Sequence, residues 1–224
     1  MEPMTHLTLA TAAFVATHFV SSTPLRAALV RRLGENGYLG LYSLVAFALL
    51  GWMIWSYPEA TGSPLWSGLR AVPLVVMPVA LILVACGVMS RNPTAVRQAN
   101  ALDSPTVIRG ILRITRHPMM WGFALWGGSH LLARGDEAAL VFFGGLALLA
   151  LAGTRLIDAR KAATLGEDWR RFAAATSNIP FAAILAGRNE FRPREIGWKK
   201  IIVGLMLYLV LLLLHPFLFG VRPY

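Results

Sequence analysis

The sequence predicts an all-α, polytopic membrane protein, a helical bundle of about six spans with both termini on the non-cytoplasmic side. Hydrophobic residues make up 56% of the 224 residues and charged residues only 14%, whereas soluble domains carry about 45–50% and about 25%. Several apolar runs approach the roughly 20 residues that a helix needs to cross a bilayer. The basic residues concentrate between these runs. One membrane domain is therefore expected over residues 1–224.

Six apolar segments are predicted to cross the bilayer. They cover residues 4–20, 38–57, 71–89, 117–133, 138–156 and 201–219. Between the first two, SSTPLRAALVRRLG is typical of a short helix, because Ser22 or Thr23 can cap it, Pro24 suits its first position and Gly34 suits its exit. The arginines of this stretch predict that it lies at the membrane interface.

The distribution of Lys and Arg predicts the orientation of the chain. Segments 21–37, 90–116 and 157–200 hold seventeen of these residues, whereas 58–68 and 134–137 hold only Arg134. By the positive-inside rule the three basic segments, including the long loop 157–200, face the cytoplasm. The net charge of +10 therefore indicates a lipid bilayer as the partner and no nucleic acid.

The N-terminal segment and the single cysteine add two expectations. The N-terminus lacks a charged region and a cleavage pattern, so its apolar segment is interpreted as a retained span. Cys86 lies alone inside an apolar run, which excludes an intrachain disulfide and a thiolate metal cluster.

Histidines are the ionisable residues that attract attention in the predicted spans. His18 and His130 lie well inside spans, and His117 lies at a span's mouth in an Arg-His-Pro triplet, whereas His6 and His215 lie near span ends. An ionisable side chain inside a span indicates function by default. The alternative is a neutral imidazole satisfied by neighbouring hydrogen bonds.

Helix geometry restricts how these histidines can act. His117 and His130 are thirteen residues apart, about 20 Å along a helix and on nearly opposite faces, so they cannot share one metal ion. Pairing of histidines across helices is how bundles hold haem. The sequence contains no H-E-x-x-H motif and the spans contain no carboxylates, which disfavours a hydrolytic metal centre.

Two stretches resemble the NnrU family of bacterial membrane proteins: THFVSSTPLR at 17–26 and ITRHPMMWGFALWGGSHLLARGD at 114–136. The resemblance extends to about residue 185. It implies a multi-pass protein of the bacterial inner (plasma) membrane, linked to denitrification and to a nitrite or nitric oxide reductase system. The related zeta-carotene isomerases imply a redox isomerisation and haem b, with His18 and His130 as the matching iron ligands. Gly127 stands where the isomerases have a cysteine.

Depth in the membrane complicates this ligand pair. The predicted topology puts His18 in the cytoplasmic half and His130 in the outer half, whereas two axial nitrogens on one iron are only about 4 Å apart. Depth alone favours His18 with His117, and a tilted first span would reconcile the family pair. His18 is therefore the first predicted ligand, followed by His130 and then His117.

A second resemblance is to the membrane methyltransferases that act on isoprenylcysteine and on phospholipid amines. It rests on Arg116-His117-Pro118 and on LGEDWRRFAAATSNIPF at 165–181, and it implies S-adenosylmethionine at the cytoplasmic face. Met120 replaces that family's tyrosine, and Asp158 stands alone for its acidic pair. A third hypothesis is a non-enzymatic partner that assembles a membrane reductase, so whether the chain is an enzyme stays open.

Two arginines next to the triplet histidine complete the predicted cofactor site. Arg113 and Arg116 flank His117 in sequence. An arginine fork suits carboxylates, so these side chains are predicted to bind an anionic group such as a haem propionate. The alternative is that they contact anionic lipid headgroups.

Overall fold

The computed structural model describes residues 2–223, and these residues are helical without a named strand. The helices are α1 (Pro3–Val20), α2 (Pro24–Ser56), α3 (Ala71–Met89), α4 (Ile111–Ile114), α5 (Pro118–Arg134), α6 (Glu137–Ala139), α7 (Gly145–Ala175), α8 (Ala182–Leu185) and α9 (Trp198–Phe219). A π-helical turn, Leu140–Gly144, joins α6 to α7, and short 3-10 turns cover Ala99–Asp103 and Pro193–Glu195. The all-α prediction is confirmed.

Four helical segments are long and apolar enough to cross a membrane, which makes this a multi-pass membrane protein. They are Pro24–Ser56, Ala71–Met89, Glu137–Ala175 and Trp198–Phe219. The other two predicted spans correspond to α1, with 18 residues, and α5, with 17 residues. At 1.5 Å per residue, α5 is about 26 Å long, slightly less than the roughly 30 Å hydrocarbon core. The structure therefore supports four of the six predicted spans by length and composition.

The predicted interfacial helix and the second span form one continuous element, α2. Its backbone departs from helical geometry only at Gly34, where φ is +70°, a conformation that glycine adopts at little cost. The side chains of Arg26 and Glu35 form an ion pair of 2.7 Å across this bend. The predicted helix exit at Gly34 is thus a kink, after which the helix resumes.

The fifth predicted span also continues further than its apolar pattern indicates. The apolar run of this span ends near residue 156, but α7 remains helical to Ala175 with one break at Gly166. The sequence from 157 to 175 is rich in alanine and arginine, which are good helix formers. The first part of the predicted loop 157–200 is therefore helix.

The helices pack in the spatial order α2, α1, α7, α5, α3 and α9. One core cluster joins α1, α2 and the π-helical turn, and includes Leu7, Met53 and Phe142. A second cluster lies at the other end of α3 and α5 and includes Leu112 and Trp169. This order leaves α1 and α5 on either side of α7, which positions the histidine-containing segments.

Candidate functional site

The start of α5 is tied to α7 by a cluster centred on the carboxylate of Asp158. The Arg116 guanidinium donates two hydrogen bonds to it, Nε to Oδ1 at 3.0 Å and Nη2 to Oδ2 at 2.7 Å. His117 Nε2 lies 2.7 Å from Oδ1, and the amide of Asn178 donates to Oδ2 at 3.3 Å. Four polar groups therefore converge on one side chain.

Backbone groups close the same cluster. Arg116 Nη1 donates to the carbonyl of Thr176 at 3.2 Å. The carbonyl of Asn178 accepts from the Thr115 hydroxyl at 2.6 Å and from Trp121 Nε1 at 2.8 Å. The cluster thus joins the entrance of α5, the middle of α7 and the segment that follows α7.

His117 is enclosed by this cluster. Its exposed fraction is 1%, and the Nε2 position that a haem iron would take contacts Asp158. Its Nδ1 is buried without a hydrogen-bond partner in the described part of the chain. The contacts of His117 therefore favour the hydrogen-bonded alternative over iron ligation through Nε2.

Arg113 is also paired with an internal carboxylate. Its Nε donates to Glu195 Oε2 at 2.8 Å, its Nη1 donates to the Asn189 side chain at 2.6 Å, and the amide of Gly110 donates to Glu195 at 3.1 Å. The hydrogen bond from Arg113, followed by that from Gly110, lowers the pKa of Glu195 to about 2. Because this pKa is depressed, the contribution of Glu195 to folding stability is fully present above the ordinary pKa of about 4.5. It is lost as the pH falls towards 2.

The contacts of Arg113 and Arg116 change the expectation for a propionate site. Both guanidinium groups face carboxylates of the chain itself, Glu195 and Asp158. An incoming acid group would have to displace these partners. Sequence inspection noted Asp158 only as a replacement for an acidic pair and did not identify Glu195.

His18 presents a different arrangement near the end of α1. Its Nδ1 lies 2.7 Å from the carbonyl of Phe14, and no hydrogen bond reaches its Nε2 from residues 2–223. The rings of Phe14 and Tyr42 lie 4.2 and 5.6 Å from the imidazole, centroid to centroid. A carbonyl that fixes Nδ1 orients the imidazole, as it does in metal-binding histidines, and His18 Nε2 remains without a hydrogen bond from the described residues.

His130 repeats this arrangement on α5. Its Nδ1 lies 2.9 Å from the carbonyl of Trp126, and its ring lies 5.2 Å from that of Phe143. Its Nε2 likewise has no hydrogen bond within the described residues. His130 is therefore a second half-buried imidazole with one nitrogen fixed and one free.

Helix register separates the two free imidazoles in depth. Two contacts align α1 with α7. A Cβ added at Gly145 of α7 would lie 2.6 Å from Cγ2 of Thr11 in α1. Arg160 of α7 donates a hydrogen bond to the carbonyl of Ser21, just after α1. His18, between Thr11 and Ser21, therefore lies at the depth of the α7 residues a few positions before Arg160. His130 lies at the depth of Phe143, whose ring it contacts. At 1.5 Å per residue the rings lie roughly 15 Å apart along the bundle.

His117 matches His18 in depth but lies across α7. It contacts Asp158, whereas α1 contacts Arg160. Two residues of a helix project about 200° apart, so these contacts are on opposite faces. These contacts put His130 at another depth than His18 and His117 on another face of α7, and the predicted ligand pair stays a prediction.

One positive side chain at the end of α1 was not identified as a site residue from the sequence. Arg160 reaches from α7 to donate to the carbonyl of Ser21 at 3.3 Å, and it has no carboxylate within salt-bridge distance in residues 2–223. Its charged and titratable neighbours are Arg26, Glu35 and the phenols Tyr38 and Tyr42. The basic character of segment 157–200 gave a signal for topology but not for this contact.

Comparison with known proteins identifies relatives. A family model described as NnrU protein matches residues 6–223. The 15-cis-zeta-carotene isomerase of Arabidopsis thaliana is 41% identical over 92 residues, and that of Zea mays is 40% identical over 93 residues. Each alignment covers 40% of this chain and 25% of the isomerase, so the chain matches about a quarter of these curated relatives. No solved structure matches the chain.

Proposed function

Since this chain belongs to the NnrU family, we propose that it is a membrane protein that binds haem b through His18 and acts in a redox reaction. The observation that carries the proposal is the state of the His18 imidazole, with Nδ1 held by the carbonyl of Phe14 at 2.7 Å and Nε2 free. The reaction classes are a redox isomerisation, as the names of the isomerase relatives suggest, or the use of nitrite and nitric oxide. A reductase system of the same membrane is the proposed partner in the second case.

The side chains around His18 suit a flat apolar cofactor with acid groups. Phe14 and Tyr42 give the imidazole aromatic neighbours, and Arg160 supplies a cation without a carboxylate partner in the described residues. Haem b, when bound, would supply an iron centre for electron exchange and for small axial ligands. His18 would orient that centre, because its second nitrogen is fixed to its own helix.

His130 is the second candidate ligand, because its ring has the same pair of fixed and free nitrogens. Its depth separates it from His18 by roughly 15 Å. The residues therefore fit one imidazole per iron better than a shared iron. A pair on one iron requires α1 or α5 to shift along the bundle.

We predict that purified protein supplied with hemin gives a stoichiometric Soret band that His18→Ala abolishes. Removing the imidazole leaves the iron without its fixed nitrogen, so hemin affinity should fall by about tenfold or more. Absorption titration of detergent-solubilised protein measures both the spectrum and the affinity. His130→Ala should retain the band, and His215→Ala serves as a control because His215 Nδ1 contacts the Val221 carbonyl at the far end of α9.

Other outcomes of the titration assign the alternatives. A band lost in His130→Ala and kept in His18→Ala would transfer the ligand role to His130. A colourless protein that binds S-adenosylmethionine would support the methyltransferase hypothesis. Binding of neither ligand would overturn the haem proposal and leave the assembly partner.

The proposed topology has six spans in the bacterial inner membrane. They are the four helical segments that are long and apolar enough to cross it, together with α1 and α5. It is supported by the packing of α1 and α5 on either side of α7 and by the basic residues of segments 21–37, 90–116 and 157–200. Both termini would then lie outside the cytoplasm.

We predict that a membrane-impermeant maleimide labels Ser63→Cys on intact spheroplasts and labels Arg170→Cys only after permeabilisation. Both positions are exposed, Ser63 in segment 58–68 and Arg170 in segment 157–200, which are predicted to face opposite sides of the membrane. The variants are made with Cys86→Ala, which removes the single native thiol. Labelling of both cysteines, or of neither, before permeabilisation would contradict the topology.

A further inference from the structure

The surface where the end of α1, the first part of α2 and α7 meet carries an unused set of polar groups. The Tyr38 side chain is 4% exposed, and its hydroxyl is buried without a hydrogen-bond partner in residues 2–223. A buried hydroxyl left unpaired costs free energy. Such a group therefore indicates a partner that the chain itself does not supply.

Two arginines lie at the junction of α1 and α2. The Arg26 guanidinium carbon lies 5.4 Å from the centre of the Tyr38 ring, and Arg160 donates a hydrogen bond to the carbonyl of Ser21, between α1 and α2. Glu35 is the acidic neighbour, and it is paired with Arg26 at 2.7 Å. Arg160 has no carboxylate within salt-bridge distance in residues 2–223, so its charge is available to an external anion.

The same surface continues from Tyr38 to the aromatic side chains around His18. The rings of Tyr38 and Tyr42 are 6.0 Å apart, and Tyr42 lies 5.6 Å from His18. Beyond His18 lies Phe14, at 4.2 Å. This surface is thus cationic at Arg160 and aromatic around His18, which suits an amphipathic anion.

We propose that Arg160 and the hydroxyl of Tyr38 form a binding site for the carboxylate groups of a ligand whose apolar body lies against Tyr42 and His18. This inference deepens the proposed function and rests on it for the identity of the ligand, since haem propionates are such carboxylates. It assigns the acid groups to α2 and α7, away from Arg113 and Arg116, whose guanidinium groups face Glu195 and Asp158.

The test uses metal-free protoporphyrin IX, because it keeps the two carboxylates and removes the iron. Binding to the full-length protein in phosphatidylcholine nanodiscs is followed by porphyrin fluorescence. Arg160→Gln should weaken binding by roughly tenfold or more, because it removes a charge-assisted hydrogen bond. Protoporphyrin dimethyl ester, which has no acid groups, should bind the parent and Arg160→Gln alike.

Arg155→Gln is the matched control, since Arg155 is exposed on the same helix and projects about 140° away from Arg160. It should leave protoporphyrin binding unchanged. Equal losses in Arg155→Gln and Arg160→Gln, or an equal loss for the dimethyl ester, would overturn the site.

Tyr38→Phe tests the site without altering its packing. It should weaken protoporphyrin binding about threefold through the lost hydroxyl and leave the ligand-free melting temperature unchanged or higher, because a buried unpaired group is removed. Unchanged porphyrin affinity in Tyr38→Phe would exclude the hydroxyl from the site.

Two further arms separate this site from its neighbours. Unsubstituted protein that gives no hemin Soret band, but still binds protoporphyrin and still loses that binding in Arg160→Gln, would contradict only the proposed function. Nanodiscs that contain one part phosphatidylglycerol to two parts phosphatidylcholine test lipid as the occupant. Phosphatidylglycerol that competes with protoporphyrin in the unsubstituted protein but not in Arg160→Gln would assign the site to lipid headgroups instead.

Discussion

Replacing Asp158 with alanine is expected to lower the free energy of unfolding by about 3–5 kcal/mol, because it leaves a buried cation without its partner. The side chains of Arg116 and His117 are 13% and 0% exposed, and both depend on the Asp158 carboxylate. The amide of Asn178 loses its acceptor in the same step. The entrance of α5 would then separate from α7.

The measurement uses the single cysteine of the chain. Cys86 is 0% exposed in α3, so a thiol-reactive fluorogenic dye reports unfolding in detergent during heating. Asp168→Ala is the matched control, since Asp168 pairs with Arg171 on the same helix with side chains 60% and 72% exposed. An exposed pair contributes about 0–1 kcal/mol. Equal stability changes in the two variants would contradict the architectural role of Asp158.

Gly122→Ala is expected to destabilise the protein by about 1–3 kcal/mol, because it overpacks the contact between α3 and α5. A Cβ at position 122 would lie 2.7 Å from the backbone oxygen of Ala80 and 2.6 Å from Cγ2 of Val84. Backbone oxygen cannot rotate away, so the two helices must move apart. The same thiol assay measures the effect, because Cys86 lies in α3.

Gly128 on the same helix provides the control for this substitution. A Cβ at position 128 meets no atom within 4 Å. Gly128→Ala should therefore be neutral or stabilising by up to about 1 kcal/mol, the helix-propensity difference between the two residues. A melting temperature that falls equally in both variants would show that helix contact at Gly122 is not the cause.

These two predictions mark where sequence patterns were sufficient and where they were not. Gly122 and Gly128 both appear in the GFALWGGSH stretch, and nothing in that pattern distinguishes the glycine that contacts α3 from the glycine that faces open space. Asp158 appears as an isolated acid at the end of an apolar run. Its partners lie 20, 41 and 42 residues away along the chain, beyond the reach of helical periodicity.

The sequence alone determined the helical class, the membrane environment and the family, because composition, apolar run length and local motifs are properties of short segments. It also identified His18 and His130 as imidazoles within apolar helices. Tertiary structure decided which atoms of these residues are free, because that depends on packing between distant segments. It paired Arg113, Arg116 and His117 with internal carboxylates, and it placed Tyr42 beside His18 and Arg160 against the Ser21 carbonyl. Side-chain pairing across helices follows from register and bends such as those at Gly34 and Gly166, which local sequence patterns do not specify.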